Sequence, residues 1–197
     1  MPKVHKELKY KVSFATPAFL GNVDQQAQWR TPPFKALIRQ WWRVVKAPDV
    51  RYNVTQLRTE ESKLFGIAAD SHEVDSHKSE LRLRLKHWDQ PVAQALGSTG
   101  RVAHTEVQRG GPPNPNGTGV MVEAGLYLGF GPVTTTANRS FITPDQPNEL
   151  LIRAPEDDLP AIQDAMQLAA WFGTLGSRSR NGWGSLVLSG GELHDLS

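Results

Sequence analysis

The sequence predicts an α+β fold in which an antiparallel sheet carries its helices on one face. Three observations carry this. Stretches of strict polar–apolar alternation stand near both ends and in the middle of the chain. Two longer stretches have helical periodicity, with proline near their starts. The order is strand, helix, strands, helix, strand, rather than the regular strand–helix alternation of a parallel sheet.

The first strand is read over 7–15, where Leu8, Tyr10, Val12 and Phe14 share one face. Thr16-Pro17 and Gly21 break it, and 22–31 reads as polar loop. The clearest helix is 33–46. Thr31 is its expected cap, Pro32 and Pro33 suit its first turn, and Pro48 stops it. Helical spacing puts Phe34, Leu37, Ile38, Trp41 and Val45 on one side, with Trp41 expected in the core. Lys35, Arg39, Arg43 and Lys46 fall together on another side, and Trp42 lies at the border. A short helix is expected at 60–66. Strict alternation at 80–88 gives a strand with Leu81, Leu83 and Leu85 inward and Arg82, Arg84 and Lys86 outward. The Gly/Pro-rich stretch 109–119 reads as a long inserted loop. Extended structure resumes over 120–130 and again at 147–153. A second helix is read at 159–172, with Asp157 or Asp158 as cap, Pro160 in its first turn, and Gly173 and Gly176 after it. A strand at 185–188 follows. This order suggests one ferredoxin-like (RRM-like) domain over 1–197.

Composition narrows the function classes. Hydrophobic residues make up 39% and charged residues 21% of 197, enough for a sizeable core. The absence of cysteine excludes disulfides, thiolate zinc sites and cysteine nucleophiles. No long apolar run or signal core is present, so a cytoplasmic protein without a membrane partner is expected. Asn138-Arg-Ser140 fits a glycosylation pattern that has no meaning without secretion. The net charge is only +2, but its distribution is uneven. Gln25 to Pro48 holds five basic residues and no acid, and Ala165 to Gly191 holds two arginines and no acid.

Candidate chemistry follows from these segments. The stripe Lys35, Arg39, Arg43 and Lys46 suits phosphate contacts that position RNA without reading its sequence; a solvated helix face fits the same pattern. In Gly173 to Gly184, glycines allow close backbone approach, and Ser177, Arg178, Arg180 and Asn181 offer donors for phosphate. Trp183 offers a stacking platform. A mobile turn ending a helix is the alternative. Trp29 and Arg30 adjoin the basic helix, and Trp42 could stack on a base or pack. His72-Glu-Val-Asp75-Ser-His77 is read as an acidic surface loop rather than a metal site. Asp24 is the acid in the loop ahead of the basic helix, either a plain loop residue or a general base toward an RNA hydroxyl. No cofactor is expected.

The segments Phe14-Ala-Thr-Pro-Ala-Phe-Leu-Gly21 and Trp29-Arg-Thr-Pro-Pro-Phe-Lys-Ala-Leu-Ile-Arg-Gln-Trp-Trp-Arg43 resemble the RAMP superfamily of CRISPR systems. The paired tryptophans look most like the Cmr1-type subunit of type III-B complexes. Glu60/Glu61 with Leu64-Phe65-Gly66, Tyr127-Leu-Gly-Phe-Gly131 and Gly176-Ser-Arg-Ser-Arg-Asn-Gly-Trp-Gly-Ser-Leu186 extend the likeness in the expected order. The resemblance implies a non-catalytic subunit that holds CRISPR RNA, target RNA or both beside other RAMP subunits. It implies that the basic helix and the glycine-rich loop lie at the RNA. Two other roles are compatible with it: a metal-dependent ribonuclease subunit using Asp24, and a structural capping adaptor. The chain departs from the family in having Ala36 where a glycine is usual, and one set of motifs where two halves are usual.

Overall fold

The computed structural model describes residues 3–67, 76–89, 92–93, 96–104, 119–134, 139–144 and 146–194. Strand β1 (His5–Phe14) is followed by α1 (Thr31–Lys46), α2 (Val54–Phe65) and β2 (Arg82–Leu85). A small hairpin, β3 (Arg101–His104) with β4 (Val120–Glu123), leads into the short helix α3 (Ala124–Gly129). Then come β5 (Asn148–Pro155), α4 (Leu159–Phe172) and β6 (Leu186–Gly190).

The main sheet has the order β2-β5-β1-β6, antiparallel throughout. With the β3–β4–α3 insertion set aside, this is the ferredoxin-like order: the first and third strands lie in the centre and the second and fourth at the edges. Alternation sets the two faces. Tyr10, Val12 and Phe14 of β1, Leu85 of β2 and Leu150, Ile152 and Ala154 of β5 are buried on the helix side. α1 contributes Phe34, Leu37, Ile38 and Trp42, and α4 contributes Ile162, Ala165, Met166 and Ala169. Each large apolar side chain removed from water here contributes roughly 1.5–3 kcal/mol.

The expected α+β architecture is therefore present, with local differences. α2 begins at Val54, six residues ahead of the expected helix, because Asn53 accepts a hydrogen bond from the Gln56 amide and caps it. The stretch 120–130 is not all extended; it turns into α3 after Glu123. Arg30 rather than Thr31 is the N-cap of α1, and neither it nor Asp158 makes a side-chain capping bond. The Gly/Pro-rich stretch lies outside the described residues except for Gly119, as do His72 and Asp75. No helix among the described residues is long and apolar enough to cross a membrane.

Candidate nucleic-acid interface

The basic stripe of α1 forms, but α2 occupies it. Glu61 of α2 is only 2% exposed and lies between Arg39 and Arg43. Arg39 Nε donates to Glu61 Oε1; Arg43 donates from Nε to Oε2 at 2.5 Å and from Nη2 to Oε1 at 2.7 Å. Burial pushes the Glu61 carboxyl up, but the hydrogen bonds and charges of the two arginines outweigh it and hold it below its ordinary range. Arg39 also lies over the Phe65 ring. Lys35 Nζ donates to the Phe65 carbonyl at 2.9 Å, and burial, then the Arg39 charge, lower its pKa. Lys46 pairs with Asp49 at 2.5 Å. Counting acids within the helix's own segment concealed Glu61, which arrives from the next helix.

The tryptophans are placed differently from the sequence reading. Trp42, expected at the border, is 2% exposed and meets Phe65 edge-on at 5.6 Å. Trp41, expected in the core, is only partly buried and rests on Phe172 at 6.0 Å. The packing of α2 explains this exchange: its Phe65 supplies a wall on the Trp42 flank. Trp29 is also buried, stacked on Phe34 at 6.1 Å and 6°. Trp183 is 7% exposed and meets Phe19 edge-on at 5.2 Å. The rings of Trp29, Trp42 and Trp183 thus pack against protein rather than presenting an open stacking face.

The glycine-rich loop is knit onto the segment after β1. Ser177 N–H donates to the Phe19 carbonyl, Gly184 N–H to Pro17, and Thr16 Oγ1 to Gly182. Gly176 has φ +102°, and a Cβ there would lie 2.8 Å from the Phe19 carbonyl oxygen. Gly184 has φ +64°, and its Cβ would lie 1.9 Å from the Leu175 oxygen. These glycines permit close approach of protein to protein, where the sequence reading had a ligand. Arg178 Nε donates to the Phe130 carbonyl at 2.7 Å and Asn181 Nδ2 to Leu128 at 2.8 Å, so both tether the end of α3. Arg180 is exposed and makes no ion pair or hydrogen bond among the described residues.

One concave site brings part of this loop to the start of α1. Gly21, Asn22, Gln25, Arg30, Arg139, Gly176 and Ser177 line a polar cleft of about 380 Å³. Arg30 Nε is buried and has no hydrogen-bond partner among the described residues. The sequence reading missed Arg139. Its tripeptide has only a glycosylation pattern to show in sequence, yet Ser140 fixes the place: it is buried, accepts from the Ala27 amide at 2.6 Å and donates to Gln26 Oε1 at 3.0 Å. The same turn carries Asp24, whose amide donates to Asn22 Oδ1; Asp24 is exposed and outside the cleft lining. His77 Nε2 lies 2.6 Å from the Ser62 carbonyl oxygen.

No family model and no curated protein matches the sequence. Solved structures match the fold. Apo Cmr1 from Pyrococcus furiosus aligns with a TM-score of 0.51 at 12% identity, over 93% of this chain and 49% of that one. The chain shares the fold of Cmr1. A chain of a type IV-B CRISPR complex aligns with a TM-score of 0.53 at 11% identity, over 98% of this chain and 93% of that one. The chain spans about half the length of the Cmr1 chain and nearly all of the type IV-B chain. At such identities the likeness is one of architecture.

Proposed function

We propose that the chain is a non-catalytic RNA-binding subunit of a type III CRISPR effector complex, holding CRISPR RNA or its target beside other RAMP subunits. One observation carries the reading: the cleft where Arg30 and Arg139 converge on the Gly176–Ser177 turn. Two arginines line this cleft, and guanidinium groups suit phosphate oxygens. Arg180, further along the loop, is an exposed cation with no ion pair among the described residues. The position of Asp24, on an exposed turn outside the cleft, supports a binding role over a cutting one.

The test is fluorescence anisotropy of labelled single-stranded RNA with the Arg30→Glu/Arg139→Glu variant. Affinity should fall by about tenfold or more, and the slope of log K against log salt should flatten by roughly one per lost phosphate contact. Unchanged affinity and slope in a folded variant would remove the cleft from the interface. Arg39 and Arg43 are less suitable for this purpose, because changing them also strips a buried carboxylate of its partners.

A further inference from the structure

The helices cover one face of the main sheet; the other face has a charge pattern that the cleft does not account for. Arg82 and Arg84 of β2, Arg153 of β5, and Lys9 and Lys11 of β1 are exposed and share this open face by register. Lys86, one residue past β2, continues the alternation opposite Glu149. Only two carboxylates share the face, Glu7 and Glu149. Six cations against two acids give this one surface more positive charge than the whole chain's net +2.

Ordinary explanations cover part of this pattern. Lysine and arginine on an edge strand discourage edge-to-edge association, which suits Arg82 and Arg84. It does not suit Arg153 and Lys9, which lie on the central strands β5 and β1. A solvated sheet face needs polar residues, but not a one-sided excess of cations. Arg82 and Arg153 are moreover direct cross-strand partners, an arrangement of like charges that destabilises a sheet. Lys9 is paired with Glu149 at 2.7 Å, whereas Arg82, Arg84 and Arg153 make no ion pair among the described residues.

We propose that this open face is a docking surface for the sugar–phosphate backbone of an RNA duplex. The proposal rests on the RNA-binding reading above and adds a second surface, on the side of the sheet away from α1 and α4. Charge complementarity selects a polyanion. The choice of duplex over single strand comes from what the face lacks. The large aromatic residues of β1, Tyr10 and Phe14, are buried on the helix side, so within the four strands the open face has His5 at one end of β1 and no Phe, Tyr or Trp ring on which unpaired bases could stack. A duplex hides its bases and presents phosphates and 2′-hydroxyls, which a flat array of cations can meet. Along β2 with Lys86 and along β1 at Lys9 and Lys11, the cations recur at every second residue, about 7 Å apart.

The experiment compares the full chain with the Arg82→Gln/Arg84→Gln/Arg153→Gln variant, using a labelled RNA duplex of about 16 base pairs, long enough for a shape-reading module, and one of its single strands. The variant should bind duplex about tenfold more weakly, with the salt slope reduced by about two to three and single-strand affinity little changed. Its thermal midpoint should be equal or higher, because the Arg82–Arg153 repulsion is gone. Unchanged duplex affinity would overturn the proposal, including the case in which the variant instead loses an acidic protein partner. If the unaltered chain binds single strands but no duplex, the proposal falls while the cleft reading stands. If it binds neither, the RNA-binding reading itself falls.

Discussion

The pairing of two arginines with one buried carboxylate sets up a stability experiment whose ranking follows from the geometry. Arg43 makes two hydrogen bonds to Glu61 and Arg39 makes one. A hydrogen bond to a charged group is worth roughly 1.5–3 kcal/mol. The arginine side chains are 49% and 43% exposed, so part of each interaction is screened by solvent. Arg43→Met should therefore destabilise by about 2 kcal/mol and Arg39→Met by about 1 kcal/mol. The double variant should lose about 4 kcal/mol, more than the sum, because it strands an ionised carboxylate in a site that is 2% exposed. Adding Glu61→Met should recover most of that loss, since an apolar replacement of a whole buried ionic group is close to neutral. Urea unfolding with a common m-value measures all four variants. A double variant that loses less than about 1 kcal/mol, or a triple variant no more stable than the double, would refute the reasoning.

Two further outcomes are expected. Glu61 has a depressed folded-state pKa, so its stabilisation is fully present above the unfolded value of about 4.3 and is lost as pH falls through the folded value; the urea midpoint of the unaltered chain should therefore drop below about pH 4 more steeply than that of Glu61→Gln, and parallel curves would contradict this. Gly184→Ala should destabilise by about 3 kcal/mol or more, against about 1 kcal/mol for Gly182→Ala. Both have positive φ, but only Gly184 has a backbone oxygen in the way, and thermal melts with equal shifts would remove that distinction.

Much of the fold was legible because it is written in local periodicity. α4 has the bounds that the pattern 159–172 predicts, and β1 and β5 begin and end within two residues of their predicted positions. Alternation also assigned Arg82, Arg84 and Lys86 to the outside. What local pattern could not show was which element covers which flank. The apolar arc of α1 was read as running through Trp41 and leaving Trp42 at its border; the structure reverses their burial because α2 packs on one flank and Phe172 of α4 meets the other. Likewise the single tripeptide Asn138-Arg-Ser140 carried no signal of its own. Its meaning depends on Ser140 reaching the turn at Ala27 and Gln26, a contact between segments far apart in sequence.

The same distinction decides where positive charge is available to a ligand. Along the chain, α1 is the most basic segment, four cations with no acid among them. In space it is partly spent: Glu61 and Asp49 return two negative charges to it, and Lys35 is turned onto a backbone carbonyl. The open sheet face shows the reverse. No single window of the sequence shows that face whole, because Lys9, Arg84 and Arg153 come from three separate strands. Antiparallel register gathers them, and of the three only Lys9 pairs with an acid among the described residues. A phosphate backbone responds to the charge that remains after internal pairing. By that measure α1 serves mainly to hold α2 against the core, and the surfaces left for the proposed RNA contacts are the Arg30–Arg139 cleft and the cationic face of the sheet.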